Sequence, residues 1–559
     1  MIRRPAFRFV GVMALLVASA LPASAQEDST WRSRLYPGDW TPDHQTAEGH
    51  FLHDFSYAGY HKGERPIPDQ PRGETVNVIA APFNADPTGG ADSTAAIQQA
   101  IDHVTKRGGG IVYLPAGTYR VKPPKKGVDA ALRISASHLV LRGAGPDKTF
   151  LFNDEPVMRN QRVVRLRPDP RPKRFETNWY RDQEGDAIPV AADVQNRATQ
   201  IRLASVDGLN VGDWIVLRTD TTEAFVREAA WDWLVEHWVG KLAPRDGIAF
   251  YRQITSRDVA SRTIDLDIPV RYWMKRRDNA RVYRVPPHLE EVGIENLSIG
   301  MREHPGTDGW GFNDYQTEGK SAHDVHNSFA VQMNHVVNGW IRNVHTYRPP
   351  VNRGPHHLVS NAFALGFTRN VSVIGCDLRQ AQYRGGGGNG YGYVLEGSDN
   401  LIQDCFGEEL RYVYDFKSMM TTGNVVHRSE SRSRSDFHMH LSVANLLDNL
   451  HMNGEYFYAG TRYDWGGPAH GKSTDQTVFW NLRGTGSHKE HDHVIDIKDQ
   501  TDAVFVIGTQ GERTTAHNVD GTHKDRIEGI GKGATLQPQS LYEDQLQRRL
   551  QRGPAKVAN

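Results

Sequence analysis

The sequence is poor in cysteine and carries no net charge. Two cysteines among 559 residues cannot cross-link a chain of this size, which excludes a small disulfide-dense scaffold. The 66 basic residues are balanced by 66 acidic ones. A neutral total gives no global attraction to a polyanion, so we predict neither nucleic acid nor an anionic membrane as a partner.

Long apolar runs are also scarce. The run Phe9–Leu21 is shorter than the ~20 residues that span a bilayer. Three arginines precede it and the small residues Ala23–Ala25 follow it, the pattern of a cleaved signal peptide. We therefore predict that residues 1–25 are removed, that no transmembrane segment remains, and that the protein is exported to the periplasm or the cell exterior.

Short apolar segments recur between residues 361 and 508. They begin at Asn370, Asn400, Asn424, Asn445, Thr477 and Ala503. Neighbouring segments start about 21 to 32 residues apart, and no helical pattern separates most of them. This period predicts an all-β solenoid, a right-handed parallel β-helix whose coils bury their apolar residues against one another. Asparagine suits the turn before each strand, since it tolerates left-handed backbone and bonds its own main chain.

The two cysteines fall at similar places in successive repeats. Cys376 and Cys405 each close an apolar segment. They are either joined by a disulfide between adjacent coils or are two small buried residues in stacked turns.

A dense set of signals precedes these repeats. Val76–Ala80 is predicted to be a strand, and Ser93–Val104 an amphipathic helix capped by Asp92 or Ser93. The segments "FNADPTGGADSTAAIQQAID", "GGGIVYLPAGTYRV" and "LVLRGAG" resemble the opening of the pectate-lyase-like superfamily of right-handed β-helix proteins. The resemblance implies that the helix caps the N-terminal end of the solenoid, where a sheet edge would otherwise be exposed. The superfamily includes polysaccharide lyases, glycoside hydrolases, epimerases and phage tail spikes, so the reaction must be argued from the site.

The repeat is interrupted between residues 155 and 290. Strand patterns there predict a small inserted β-subdomain, and residues 225–239 a Trp-rich helix that either packs or stacks on sugars. The predicted organisation is a signal peptide (1–25), an N-terminal extension (26–75), the first coils with the capping helix (76–154), the insert (155–290), the main coils with the candidate site (291–515) and a tail with a short helix (516–559).

Histidine is concentrated in the main coils, where 15 of the 25 lie between residues 301 and 500. In Ser435–Leu441, alternation places Asp436, His438 and His440 on one strand face. It places Phe437, Met439 and Leu441 in the interior. Further polar and aromatic candidates lie one or two coils away: Arg411, Tyr412, Asp415, Lys417, Arg462, Tyr463, Asp464, Trp465, His470 and Lys472.

These residue types suit β-elimination on a uronic-acid-containing polysaccharide. The reaction needs a cation for the carboxylate, a base for the C5 proton and an acid for the leaving oxygen. We hypothesise Arg462 as the cation, His438 or Lys472 as the base, and Tyr412 or His440 as the acid. Lys417, Asp436 and His470 complete the predicted catalytic set, and Arg411, Tyr463, Asp464 and Trp465 are predicted to bind substrate. No cofactor is firmly predicted, and calcium is a candidate because lyases of this kind sometimes use it.

Other interpretations stay open at this point. A glycoside hydrolase would use a carboxylate pair from Asp415, Asp436 and Asp464, although the Asn-Thr-Asp and Gly-His-Gly motifs of polygalacturonase-like hydrolases are absent. His438, His440 and His470 are a candidate zinc set. A non-catalytic glycan-binding protein would depend on Tyr463, Trp465 and Trp480. The Gly-rich segment 383–393 is either a flap over a groove or a linker.

Overall fold

The computed structural model describes residues 29–123, 129–169, 187–242, 247–285, 288–462, 468–498, 504–517 and 526–553. The predicted signal peptide lies outside these residues. Within the described ranges, no helix combines the length and the apolar character needed to cross a membrane.

The chain winds into a right-handed parallel β-helix, which confirms the predicted fold class. A typical coil places Tyr412–Lys417 in one sheet and Val425–His427 and Glu430–Arg432 in another. Ser435–Met439 then returns to the first sheet one level further on. Pairing between coils is parallel, so successive coils lie about 4.8 Å apart.

We call the first sheet the groove sheet and the second the flank sheet. Among the described residues the groove sheet has twelve strands: Ala130–Ile134, Arg162–Leu166, Leu289–Glu290, Phe329–Asn334, Val336–Val337, Asn361–Arg369, Tyr391–Ser398, Tyr412–Lys417, Ser435–Met439, Phe457–Tyr458, His493–Asp496 and Thr515–His517. In the same described ranges the flank sheet has nineteen: Glu74–Asn77, Thr88–Asp92, Gly110–Leu114, Gly117–Val121, Leu139–Gly143, Thr149–Asn153, Gly293–Met301, Trp340–Thr346, Ser372–Ile374, Asp377–Arg379, Leu401–Gln403, Phe406–Glu408, Val425–His427, Glu430–Arg432, Leu446–Asp448, His451–Asn453, Thr477–Thr485, Val504–Gly511 and Ile527–Glu528. Two short strands, Ser442–Val443 and Thr474–Asp475, form a separate pair.

The predicted apolar segments stack in register in the flank sheet. Ile402, Val426 and Leu447 are cross-strand neighbours whose side chains fill the interior of the coil. The preceding residue of each strand points outward and is also buried, beneath the N-terminal extension and the C-terminal helix. Because the strands that begin at Leu401, Val425 and Leu446 are covered on both faces, their first two residues are both apolar instead of alternating between apolar and polar.

The asparagines before these strands form a buried ladder between coils. Asn400 donates from its main-chain and side-chain nitrogens to Oδ1 of Asn424, at 3.0 and 2.9 Å. Asn424 donates in the same way to Oδ1 of Asn445, at 3.1 and 3.0 Å. The expectation that each asparagine bonds its own main chain holds for Asn445, whose side chain donates to the Val443 carbonyl at 3.2 Å. It is wrong for Asn400 and Asn424, because stacking at equal positions offers the next coil's amide as a buried partner.

Helix α1, Thr94–Lys106, covers the N-terminal end of the coil interior. Its side chains at Ile97, Ala100, Ile101 and Val104 are buried in the same core as the first strands. The predicted helix stripe is the set of residues that closes the solenoid.

The inserted segment forms its own six-stranded antiparallel sheet. Its strands are Ile188–Pro189, Gln200–Arg202, Trp214–Arg218, Ala249–Asp258, Thr263–Leu266 and Arg281–Arg284. The predicted boundary at residue 155 is wrong, because Arg162–Leu166 pairs with two coil strands of the groove sheet. The predicted Trp-rich helix is broken into α2, Glu223–Ala229, and α3, Val235–Trp238, with Trp238 buried.

The tail does not close the C-terminal end of the solenoid as suggested by its helix pattern. After a short α4, Ser321–Val325, in a loop of the main coils, the last helix is α5, Leu541–Arg552. Ser540 Oγ accepts the Glu543 N–H at 3.1 Å, the predicted N-terminal cap. Helix α5 packs with the N-terminal extension on the outer face of the flank sheet, and the coil itself continues to Glu528.

Candidate active site

A groove with a volume of about 720 Å³ runs along the outer face of the groove sheet. Its walls are a loop carrying Phe312 and Tyr315 and the Gly-rich turn 386–388. That turn packs close to Tyr315, and a Cβ at position 387 would lie 2.3 Å from its ring. The Gly-rich segment is therefore a packed wall of the groove, because only glycine fits there.

His438 is held in a fixed orientation on the groove floor by Asp436. Its Nδ1 lies 3.0 Å from Oδ2 of Asp436, which also pairs with the Arg462 guanidinium. Since a carboxylate only accepts, this bond requires the proton on Nδ1 and leaves the lone pair of the neutral ring on Nε2. Burial lowers the pKa of His438 well below its usual value, so the ring is neutral at pH 7.

Asp415 lies on the neighbouring strand, directly beside Asp436 in the sheet register. Its carboxylate is 2.9 Å from Lys417 Nζ and 3.5 Å from His438 Nδ1. Burial raises the pKa of Asp415 to about 6, against the attraction of Lys417, and raises the pKa of Asp436 too. Neither carboxylate is exposed, and the groove is lined by their partners instead.

Two tyrosines and two cations complete this end of the groove. The rings of Tyr391 and Tyr412 lie 5.9 and 5.8 Å from that of His438. Lys417 Nζ is 4.2 Å and the Arg411 guanidinium 5.6 Å from the centre of the Tyr391 ring. The Tyr391 hydroxyl is buried without a hydrogen-bond partner among the described residues.

The carboxylates of Asp415 and Asp436 could in principle ligate a metal with His438, since one ligand atom from each falls within 4.8 Å of the others. Lys417 and Arg462 already neutralise both carboxylates, and an imidazole is a poor ligand for calcium. These residues do not fit a calcium ion.

The structure brings seven of the predicted site residues together: Arg411, Tyr412, Lys417, Asp436, His438, Arg462 and His470. His470 lies with its ring 5.1 Å from that of His438, and burial lowers its pKa to about 4.

Two predictions at this site are wrong. His440 leaves the strand because its backbone is left-handed, and its ring packs against Trp238 and His470. Lys472 lines a different cavity, where its Nζ donates to the Ala229 carbonyl and to Asp475 at 3.1 and 3.3 Å.

Alternation also fails for the apolar residues of this strand. Phe437 packs in the coil interior, but Met439 lines the groove and Leu441 packs into the core of the insert. Asp436 and His438 are buried, at 0% and 7% exposure, rather than on the solvated face that alternation implied.

Tyr463, Asp464 and Trp465 lie outside the described residues, so their predicted roles remain predictions. Trp480 is fully buried beneath the N-terminal extension and cannot contact a glycan.

The groove lining also contains Tyr391 and the wall residues Phe312 and Tyr315, which were not among the predicted site residues. A signal for Tyr391 existed, because Tyr391–Tyr393 and Tyr412–Tyr414 repeat the same Tyr-x-Tyr pattern one coil apart and pair in register. The loop carrying Phe312 has no repeat pattern, so nothing in the sequence assigned it to the groove.

Comparisons with known proteins match the two ends of the coil to different families. Residues 75–180 match the family described as "Rhamnogalacturonase A/epimerase, pectate lyase-like". Residues 417–559, which include His438 and Arg462, match a domain of unknown function, DUF4955.

The relatives are similar over short or distant stretches. Mannuronan C5-epimerase AlgE3 of Azotobacter vinelandii is 48% identical over 69 residues, 12% of this chain and 4% of that protein. Alginate lyase 7 of the same organism is 46% identical over 69 residues, 12% of this chain and 8% of the relative. The chain thus spans less than a tenth of these curated relatives. Among solved structures, the A-module of the Azotobacter vinelandii mannuronan C-5 epimerase AlgE4 is 14% identical, with a TM-score of 0.34, covering 82% of this chain and 96% of that one.

The coil architecture and the family match together support the sequence-based resemblance. The protein is a right-handed parallel β-helix, and the match of residues 75–180 to a pectate-lyase-like family model confirms the resemblance of its opening segments to that superfamily. The names of the matching family and relatives are those of carbohydrate-active enzymes.

Proposed function

We propose that the protein is an exported polysaccharide lyase that cleaves a uronic-acid-containing glycan by β-elimination in the groove. One observation carries the proposal. A neutral histidine, fixed by a buried aspartate, faces a groove lined by three cations, Arg411, Lys417 and Arg462. Such a site holds an anionic sugar and removes a proton from it.

For each step of the elimination, a residue of this chain is in a position to carry it out. Arg411, which has no ion pair with a carboxylate among the described residues, neutralises the uronate carboxylate, and this makes the C5 proton more acidic. His438 Nε2 takes that proton while Asp436 stabilises the resulting imidazolium through Nδ1. The electron pair forms the C4–C5 double bond, and the bond from C4 to the glycosidic oxygen breaks. Tyr391, whose ring centre lies 5.3 Å from that of Tyr412, gives a proton to the leaving oxygen.

The groove walls supply stacking surfaces for the sugars on either side of the cleaved bond. Phe312 is 61% exposed, and the guanidinium of Arg411 lies 5.0 Å from its ring centre. An exposed aromatic ring over a polar groove is a typical platform for the apolar face of a sugar.

The test uses the purified protein on a panel of uronic-acid and neutral polysaccharides. Absorbance of the unsaturated product and new reducing ends are recorded together, and C5 deuterium uptake in D₂O is followed by NMR. On a uronate polymer we expect both the absorbance of the unsaturated product and new reducing ends. His438→Ala and Tyr391→Phe should each lower the rate by about 10²–10⁴-fold, whereas His345→Ala, a matched change on the flank sheet, should not.

Other outcomes point to different reactions. Reducing ends without a double bond would refute elimination and favour hydrolysis by Asp415 and Asp436, whose raised pKa values suit a general acid. Deuterium uptake without cleavage would replace lyase by epimerase, with His438 keeping its role. A glycan that binds without reaction would refute catalysis altogether.

A further inference from the structure

A second cluster of histidines lies on the groove sheet, beyond the candidate active site. It consists of His488, His491, His493 and His517, whose consecutive ring centres are 4.9, 4.6 and 5.1 Å apart. Asp496 lies among them, with Oδ1 3.1 Å from Nδ1 of His517. We propose that this cluster binds one divalent transition-metal ion, with His493, Asp496 and His517 as its ligands.

A β-bulge creates the ligand set. His493 and Asp496 are three residues apart, so a regular strand would place them on opposite faces. The register shift between His493 and Ile495 turns Val494 and Ile495 inward and leaves His493 on the outer face with Asp496. His517 is the cross-strand neighbour of Asp496 on the next coil.

The geometry suits a metal. One ligand atom from each of the three residues lies within 4.8 Å of the others. Two ligands of a tetrahedral zinc ion, each bound at 2.0–2.1 Å, stand about 3.3 Å apart, close to the 3.1 Å between His517 and Asp496.

One ring nitrogen of the proposed ligands has no hydrogen-bond partner among the described residues. His493 is 6% exposed, and its Nε2 is buried without a hydrogen-bond acceptor or donor among the described residues. A buried ring nitrogen left unpaired is costly, and a bound cation would satisfy it.

The ligand atoms of these three residues determine which metal ions the site prefers. Two imidazoles and one carboxylate favour zinc and other first-row transition ions over calcium and magnesium. His491, whose ring centre lies 4.6 Å from that of His493, can supply a further nitrogen. In the described part of the chain the ion pair of Asp496 is with His517 and not with a lysine or arginine, so its charge is available to a metal.

The test is a Zn²⁺ titration of the full-length, untagged protein after chelator treatment, in competition with a chromogenic chelator. We expect one Zn²⁺ per chain, and a visible absorption band when Co²⁺ replaces it. His493→Ala and His517→Ala should each weaken binding by more than about 100-fold, beyond the 10–100-fold typical of outer-shell changes. Binding should survive in His103→Ala, a control at a partly exposed histidine on α1 paired with Glu74.

Folding defects are separated from ligand loss by His493→Gln, which keeps a polar side chain there, and by comparing metal-free unfolding temperatures. His438→Ala should still bind Zn²⁺, because it lies in the other histidine–carboxylate group. No stoichiometric binding, or unchanged affinity in both His493→Ala and His517→Ala, would overturn the proposal. Loss of Zn²⁺ binding in His438→Ala alone would also overturn the proposal. These readouts measure binding and do not depend on the proposed reaction.

Discussion

Asp399 fastens the inserted subdomain to the coil, and its removal should be costly. Its carboxylate, fully buried, lies 3.1 Å from Arg252 and 2.8 Å from Arg271, both on the insert and no more than 1% exposed. Asp399→Ala leaves two guanidiniums buried without their anion. Breaking a buried pair in this way costs about 3–5 kcal/mol, and the remaining bonds of Arg271 and Arg252 to carbonyl groups place the expected loss near the lower end.

The measurement is urea unfolding followed by tryptophan fluorescence and circular dichroism. Asp404→Ala is the matched control, since Asp404 lies on the same coil as Asp399 and pairs with Arg428 of the next coil, but both side chains are almost half exposed. An exposed pair is worth about 0–1 kcal/mol. Asp399→Asn keeps the shape and removes the charge, so it should destabilise nearly as much as the alanine. Equal stabilities for Asp399→Ala and Asp404→Ala would refute the reasoning.

The same carboxylate gives a pH signature with a defined sign. Burial raises the pKa of Asp399, but Arg271 and Arg252 outweigh it and the net pKa is lowered. Its stabilising contribution is therefore present above the unfolded value of about 3.9 and is lost as the pH falls through the lowered folded value. The stability difference between the protein and Asp399→Ala should shrink below about pH 4. A difference that grew on acidification would contradict this assignment.

Two further predictions concern the ladder and the base. Asn424→Ala removes the acceptor of both Asn400 nitrogens and one of the two donors to Asn445 Oδ1, since the main-chain N–H of residue 424 remains. Urea unfolding should therefore show a loss of about 1–3 kcal/mol, against no measurable loss for the exposed Asn210→Ala. If His438 is the base, its lowered pKa should put the acid limb of the kcat/KM profile below about pH 6.5, and a limb above that value would exclude it.

The coil architecture was predictable because its signals are local and repeated. The apolar segments from Asn370 to Ala503 recur at one level of each coil, and stacking then follows from their shared register. The Asn400–Asn424–Asn445 ladder shows the limit of that reasoning. Each asparagine was assigned to its own turn, whereas its partner is one coil away, and a contact between repeats is not visible in a single repeat.

The site was predictable only in part, because alternation fails where strands are irregular. Asp436 and His438 share a face as predicted. The strand ends after them because His440 and Leu441 have left-handed backbone, and the Leu441 side chain packs into the core of the insert. Lys472 was predicted to lie at the site because it follows His438 by one or two coils in the sequence. In the structure it lines a cavity beside the insert instead. The insert is 100 or more residues away in sequence, so its packing against these coils leaves no periodic signal.

Charge distinguishes the two histidine–carboxylate groups on the groove sheet. In the first, Lys417 and Arg462 neutralise Asp415 and Asp436, and a metal ion would have to displace or face those cations. Arg411 adds a third cation to that lining, so the net charge of the groups named there is positive, which is consistent with the proposed binding of an anionic glycan and the proposed role of His438 as base. In the second, Asp496 pairs with a histidine rather than a fixed cation, and its surplus negative charge favours a metal. Asp436, Tyr458 and Asp496 are successive neighbours across the sheet, so the two groups lie about 10 Å apart, and a bound ion would extend the positive surface of the groove along the path of an anionic chain.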